Sequence, residues 1–369
     1  MHSKRFASHQ TAATSGAKQQ TRCEGIGTKE EDMGLDRRFV LAGGASLIAA
    51  PFVSRAEAQA GQTLRLSHTD TPVGSRQQAA ELFARKVAEY TGGAFNVQVF
   101  HSGQVANDPK AIEQLQLGGL DFTISATGSY APHVRGLNLT AMPFLVDSYE
   151  QGWKLYDESK ALKSHMDQLP AKGLRVLSTW EAGFRSFTTK EPLNSPADAK
   201  GKRMRVFPND MIRWIMESIG FVPVVLPVTE VYLAIQQGTV IGQENPTDTI
   251  FSLRFYEVAP HLTLTRHVYS PLPMTISEIT WKRLDAKAQE AITRAAADAS
   301  AHSRQIVRAD EDKQLAEMTA KGAKVARPTI APFREAVKPV YDRAREAFGA
   351  AAVDSMLADC EAIRRSLPA

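Results

Sequence analysis

Three residues of this chain outline an anion-binding site: Arg205, Arg185 and Asn245. A guanidinium presents parallel N–H donors whose spacing matches both oxygens of a carboxylate. A carboxamide donates and accepts at once. Arg205 lies in Gly201-Lys202-Arg203-Met204-Arg205-Val206, where strand alternation turns it away from the face shared by Met204 and Val206. Arg185 closes Trp180-Glu181-Ala182-Gly183-Phe184-Arg185. Asn245 follows Gln243-Glu244 and precedes Pro246, which disfavours a continuing helix. Read alone, Arg205 also fits a solvated basic strand, Arg185 a surface loop and Asn245 an Asn-Pro turn. The sequence contains no HExxH, no GxSxG, no phosphate loop and no activated cysteine. Glu244 and Asp248 are the pair with acid–base potential, and they keep open an exported enzyme acting on an organic acid. The chemistry that these residue types favour is holding a carboxylate rather than transforming it.

Arg205 and Asn245 fall inside three longer blocks: Gly201 to Val206, then Thr229-Glu230-Val231-Tyr232-Leu233-Ala234-Ile235-Gln236-Gln237-Gly238, then Gln243-Glu244-Asn245-Pro246. Their order and spacing resemble the solute receptors of TRAP transporters, the DctP-like family, from about residue 63 to the C-terminus. The resemblance implies an α/β, two-lobed periplasmic-binding-protein fold of class II type, with a hinge and a long helix spanning both lobes. It implies that Arg205 clamps the ligand carboxylate, that Arg185 lies near it and gates closure, and that Asn245 contacts it. It also implies two kinds of partner: a small carboxylate ligand and the membrane subunits of a TRAP transporter, which couple uptake to sodium. His68, Asn107, Ser125, Trp180, Phe207 and Asp248 match pocket-lining places in the family. Each has a structural alternative. His68 reads as a satisfied strand-end histidine, Asn107 as a helix cap, and Trp180 and Phe207 as core. Asp248 reads as a polar turn residue, and Asp108 as a helix-start charge.

One clamp implies one carboxylate. The polar set His68, Asn107, Ser125 and Asp248 suits hydroxyls better than a bare hydrocarbon tail. Besides Arg185 and His68, no second uncommitted cation is evident in the sequence. The expected ligand is therefore a hydroxylated monocarboxylate such as an aldonate or uronate. A C4-dicarboxylate is the runner-up, and Trp180 with Phe207 keeps an aromatic acid open. No cofactor is expected and no ligand cluster in the sequence demands a metal, while the resemblance leaves open a ligand held through a cation, as in some relatives.

The elements that must carry these residues are legible from periodicity. Strands are expected at 64–68, 95–100 and 121–125, separated by helices at 77–91 and 107–117. That alternation predicts an α/β lobe with a largely parallel sheet. A second unit follows, with strands at 203–207 and 222–226 and helices at 211–219 and 230–237. The strand at 270–276 returns to the first unit. A helix over 285–320 has Asp285 as N-cap and Gly322 as stop. The expected division is 61–182 plus 271–310 for one lobe and 183–270 plus 311–369 for the other.

The whole chain of 369 residues is formally +4. Its first 60 residues hold eight Lys/Arg and six Asp/Glu, so the body stands at +2 and shows no basic footprint for nucleic acid. Residues 36–60 read as an export leader, with paired Arg37-Arg38, a short apolar stretch and a cleavage site near Ala58 or Ala60. The apolar stretch falls short of the roughly 20 residues a membrane span needs. Met33 stands where such a leader would begin, and translation is expected to start there. The expected location is the periplasm. Of the two cysteines, Cys23 lies ahead of the expected cleavage site, and Cys360 reads as a small filler on a helix.

Overall fold

A computed structural model describes residues 61–367. The leader at 1–60, with its paired arginines and cleavage site, lies outside the described residues. In chain order the strands are β1 (Gln62–Ser67), β2 (Phe95–Phe100), β3 (Phe122–Ile124), β4 (Leu174–Trp180), β5 (Phe184–Thr189) and β6 (Arg203–Val206). They continue with β7 (Val222–Val225), β8 (Gly242–Pro246), β9 (His261–Tyr269), β10 (Leu272–Ser277) and β11 (Lys324–Ala326). One sheet orders them β2-β1-β3-β10-β4 and the other β11-β9-β5-β8-β6-β7.

Both sheets are mixed rather than largely parallel. β1 pairs in parallel with β2 and β3, but β10 is antiparallel to β3 and β4. β6 is parallel to β7 and β8, whereas β5 is antiparallel to β8 and β9. The cause is the crossover. The chain leaves the first sheet along β4 and returns along β10, and it enters the second along β5 and leaves along β9. A departing and an arriving strand at the same junction run in opposite directions.

The junction is held by Glu181. Its Oε1 accepts from the amides of Ala182 (2.9 Å) and Gly183 (2.7 Å). Its Oε2 accepts from Trp153 Nε1 and Tyr269 Oη, each at 2.7 Å. Gly183 has φ +102°, a backbone state that side chains disfavour, and its carbonyl accepts from the Ser270 amide of the return crossover at 3.0 Å.

The third connection is the helix Ala286–Ala320, about 52 Å long at 1.5 Å per residue. Asp285 caps it by accepting from the Ala288 amide at 2.7 Å, and Gly322 follows its end with φ +98°. Its first half lays Ala291, Ala295 and Ala299, all buried, toward the helix Ser75–Tyr90 and β4. Small side chains permit that close approach. Its second half packs on the helix Thr247–Ser252 and sends Leu315 and Met318 into the core of the second sheet. The helix thus spans both lobes.

Tyr149–Glu158 and Lys160–Met166 are helices that pack on the C-terminal helix Ala350–Ser366. Cys360 is buried there, and burial pushes its thiol up to about 12. No helix among the described residues is long and apolar enough to cross a membrane.

Candidate functional site

The strand ends of the two sheets converge on one cleft. It holds about 510 Å³ of empty space, counting its open mouth. Thr69 and Asp70 reach it just beyond β1, Ala126 and Ser129 beyond β3, and Ala182 and Ser270 at the crossovers. From the second lobe come Arg205, Phe207, Asn245 and Arg185. Ligands of open α/β sheets bind at such carboxyl ends.

Arg205 is the second-largest fully buried side chain, at 1 % exposure. Both faces of its strand are covered, since Met204 and Val206 are also buried. Its Nε donates to the Leu226 carbonyl at 2.9 Å. Neither Nη nitrogen has a partner among the described residues, and no carboxylate lies within ion-pair distance. Burial pulls this guanidinium down to about 10, against the raising effect of Glu244. A buried cation with two free donors facing a cleft has the chemistry to hold a planar anion.

Arg185, 3 % exposed, is paired already. Its Nε and Nη2 clasp the Glu244 carboxylate, with Nη2 at 2.7 Å from Oε1 and 2.6 Å from the Glu244 carbonyl. Nη1 donates to Ser270 Oγ at 3.3 Å, and the guanidinium lies 4.9 Å from the Phe207 ring centroid. Burial raises Glu244, but Arg185 and His267 override it and hold the carboxylate at about 2. Glu244 is a fixed counter-charge rather than an acid or base. Asn245 lines the cleft and donates through Nδ2 to Gln243 Oε1, and Gln243 Nε2 in turn donates to Thr188 Oγ1 at 2.8 Å. That chain fixes the carboxamide's orientation.

The remaining sequence candidates stand one layer back. His68 is buried, with Nε2 at 2.8 Å from Gln77 Oε1 and Nδ1 accepting from the Asp70 amide at 3.2 Å. Burial, then Arg76, pulls it down to about 3, so the ring is neutral. Asn107 caps the helix Asp108–Leu117 by accepting from the Lys110 amide at 3.2 Å. Ser125 donates to Asp108 Oδ1 at 3.2 Å from behind the wall. Trp180 is enclosed in the core of the first sheet and donates to Ser178 Oγ at 3.1 Å.

Asp248 sits at the seam between lobes. It accepts from Ser75 Oγ at 2.5 Å and Gln314 Nε2 at 2.9 Å. Burial, then the nearby Asp70, lifts its carboxyl from 3.8 to about 6. The folded chain therefore holds a proton that the unfolded chain releases. The resulting cost to stability grows as pH rises from about 4 to about 6 and is constant above. Asp248→Asn should raise the melting temperature by an amount that grows over that window and then levels. A gain of equal size at pH 4 and pH 7.5 would count against this account.

Three charged cleft residues lie outside the expected ligand set: Asp70, Arg76 and Asp108. Asp108 was read as a helix-start charge, yet it lines the cleft. Enclosure raises its carboxyl, opposed chiefly by Arg76. Arg76, 8 % exposed, was not singled out at all. Its Nη1 donates to Thr69 Oγ1 (3.2 Å) and to the Ile124 carbonyl (3.4 Å), and its buried Nε has no partner. The available signal was its position in the first turn after β1, where a strand end feeds a helix. Among the described residues no three His, Cys, Asp or Glu side chains are grouped to hold a metal.

Residues 66–347 match the family described as bacterial extracellular solute-binding protein, family 7 (DctP). A solute-binding protein of Verminephrobacter eiseniae is 31% identical over 82% of this chain and 90% of its own length. A C4-dicarboxylate-binding periplasmic protein of Rhodobacter capsulatus is 28% identical over 80% of this chain and 90% of its own. The crystal structure of a sugar acid binding protein from Advenella mimigardefordensis, in complex with galactonate, superposes with a TM-score of 0.80 at 29% identity. It covers 82% of this chain and 99% of that one.

Proposed function

The chain belongs to the DctP family of bacterial extracellular solute-binding proteins, and from that premise we propose that it is the periplasmic receptor of a TRAP transporter, taking a hydroxylated monocarboxylate such as an aldonate or uronate. One observation carries the reading: both Nη groups of buried Arg205 face the cleft unpaired, while Arg185 beside it is neutralised by Glu244. The Arg205 end of the cleft therefore offers one net positive charge to an incoming anion. Thr69, Ser129, Asp108 and Asn245 supply the donors and acceptors that hydroxyls require. The galactonate complex of the Advenella relative supports the same ligand class.

The two lobes, 61–182 plus 271–310 and 183–270 plus 311–369, close around the ligand by bending at Glu181–Gly183 and at Ser270. Closure expels water, and the Arg205–carboxylate pair strengthens as the local dielectric falls. The closed form is delivered to the membrane subunits. Export through the leader places this step in the periplasm.

The two carboxylates that the sequence offered as an acid–base pair do not support an enzyme reading, since Glu244 is locked on Arg185 and Asp248 lies outside the cleft lining. The test is a thermal-shift panel of aldonates, uronates and C4-dicarboxylates, followed by mass spectrometry of the incubated compound. At about a hundred times Kd, binding adds about 2.7 kcal/mol to the stability of the folded state. Stabilisation by a sugar acid that is recovered unchanged is the expected result. A chemically altered compound would turn the reading toward an enzyme.

A further inference from the structure

Four buried side chains, Asp70, Ser75, Asp248 and Ser252, exchange hydrogen bonds across the seam between the lobes. Ser75, the first residue of the helix Ser75–Tyr90, donates through Oγ to Asp248 Oδ2 at 2.5 Å. Ser252, the last residue of the helix Thr247–Ser252, donates in the opposite direction to Asp70 Oδ1. Thr71 Oγ1 adds a third bond, to the Ser252 carbonyl at 3.3 Å. Each carboxylate is aimed from within its own lobe. The amides of Thr71 (2.9 Å) and Arg76 (3.3 Å) hold Asp70, and Gly74 makes that turn possible, since a Cβ there would stand 2.1 Å from Asp70 Oδ2. Gln314 of the long helix holds Asp248 through Nε2 at 2.9 Å. The acceptor is thus positioned by one lobe and its hydroxyl arrives from the other.

We infer that the pairs Asp70–Ser252 and Ser75–Asp248 form a reciprocal latch that fastens the closed form and sets how long the bound acid stays. This rests on the receptor reading given above. Ser75, Asp248 and Ser252 are absent from the cleft lining, so they are positioning residues that act through the lobes rather than on the ligand. Apparent affinity scales with the population of the binding-competent form. Bonds made only after the lobes meet therefore act on release and leave the encounter step alone.

The latch also carries a charge conflict, because it encloses two carboxylates. Burial, then Asp70, lifts Asp248 to about 6 in the closed form, and Arg76 only partly opposes this. Other charged groups on elements packed round the helix Thr247–Ser252 are committed elsewhere: Glu311 of the long helix to Arg266, Glu244 of β8 to Arg185 of β5, and Glu257 to Arg254. Opening takes Ser75 and Asp70 away from Asp248 and admits water, so the open form releases a proton that the closed form holds. Closing therefore takes up a proton between about pH 4 and pH 6, and affinity rises as pH falls through that window.

The experiment is stopped-flow binding of galactonate, or of whichever acid of the thermal-shift panel binds tighter, with calorimetry giving the affinities. Wild type, Ser75→Ala, Ser252→Ala and Asp248→Asn are compared at pH 5 and pH 7.5. A hydrogen bond to a charged group is worth about tenfold or more in an equilibrium constant. Each serine variant should therefore release the acid about tenfold faster, with its association rate within about threefold of wild type. Wild type should bind about tenfold tighter at pH 5 than at pH 7.5, and Asp248→Asn should lose most of that difference. Release within threefold of wild type in both serine variants, or a slowed association that accounts for their loss, would overturn the latch. So would the full pH difference persisting in Asp248→Asn. Wild type that binds no acid of the panel would instead sink the receptor reading itself.

Discussion

Arg205→Met will weaken ligand binding at least about 30-fold and, at the same time, make the ligand-free protein more stable. The two effects share one cause. In the free protein the guanidinium is 1 % exposed and has one hydrogen bond, through Nε to Leu226. It stays charged although burial has drawn it down to about 10. Methionine fills similar volume without a buried charge, and replacing buried ionic groups by apolar ones of like size commonly stabilises by about 1–4 kcal/mol. The ligand carboxylate, however, loses its bidentate partner in a desolvated site. Truncating one member of such a pair costs about 2–5 kcal/mol, a loss of roughly 30-fold to several thousand-fold in affinity. Denaturant melts of the free protein and calorimetry with the best acid from the panel measure the two arms. A variant that binds normally would remove Arg205 from the site. A variant that is less stable when free would mean that the side chain has a structural partner instead.

Glu244→Gln produces the opposite pattern. Arg185 would keep hydrogen-bond acceptors but lose its counter-charge while remaining 3 % exposed. Leaving a buried charge uncompensated costs about 3–5 kcal/mol. The loss should shrink when Arg185→Met is added, because both charges are then absent. A double-mutant cycle by urea unfolding reads that coupling. pH gives an independent check. Glu244 is held at about 2 against an ordinary 4.5, so its stabilising contribution is fully present above pH 4.5. It fades as pH falls toward 2. The Gln variant should therefore lose the part of the acid limb that wild type shows between those values. A cost below about 1 kcal/mol at neutral pH would show that the pair is open to solvent in solution.

Arg185 also shows why two arginines that look alike in sequence differ in role. Both were expected near the carboxylate. Only the pairing of β5 with β8, which sets Ser186 against Asn245 and Phe187 against Glu244, brings Glu244 onto Arg185. β5 and β9 were themselves absent from the expected elements. Phe184-Arg185-Ser186-Phe187-Thr188-Thr189 is buried along its whole length yet carries four polar residues. A strand buried on both faces ordinarily reads as an apolar run. Here internal partners, Glu244 for Arg185 and Gln243 for Thr188, take the place of that signal.

Much of the rest was legible. Strand β2 and the long helix fall at or within a residue of their expected bounds, because alternation in Phe95–Phe100 and an Asp285 cap with Gly322 beyond the helix end are local signals. The family blocks likewise put Arg205, Asn245 and Phe207 at the cleft. Local pattern fixes which segment is a strand or helix and therefore which strand ends can meet. It also delivers part of the chemistry, since a guanidinium beside a carboxamide suits holding a carboxylate. The side chains facing the cleft were another matter. His68 gave way to Thr69 and Asp70, Asn107 to Asp108, Ser125 to Ala126 and Asp248 to Thr249. One step along the chain turns a side chain to the opposite side of an extended backbone and by about 100° around a helix, so in either case it exchanges wall for interior. Which of two neighbours faces the ligand depends on how each strand end turns as the opposite lobe packs against it, and that information exists only once the chain is folded.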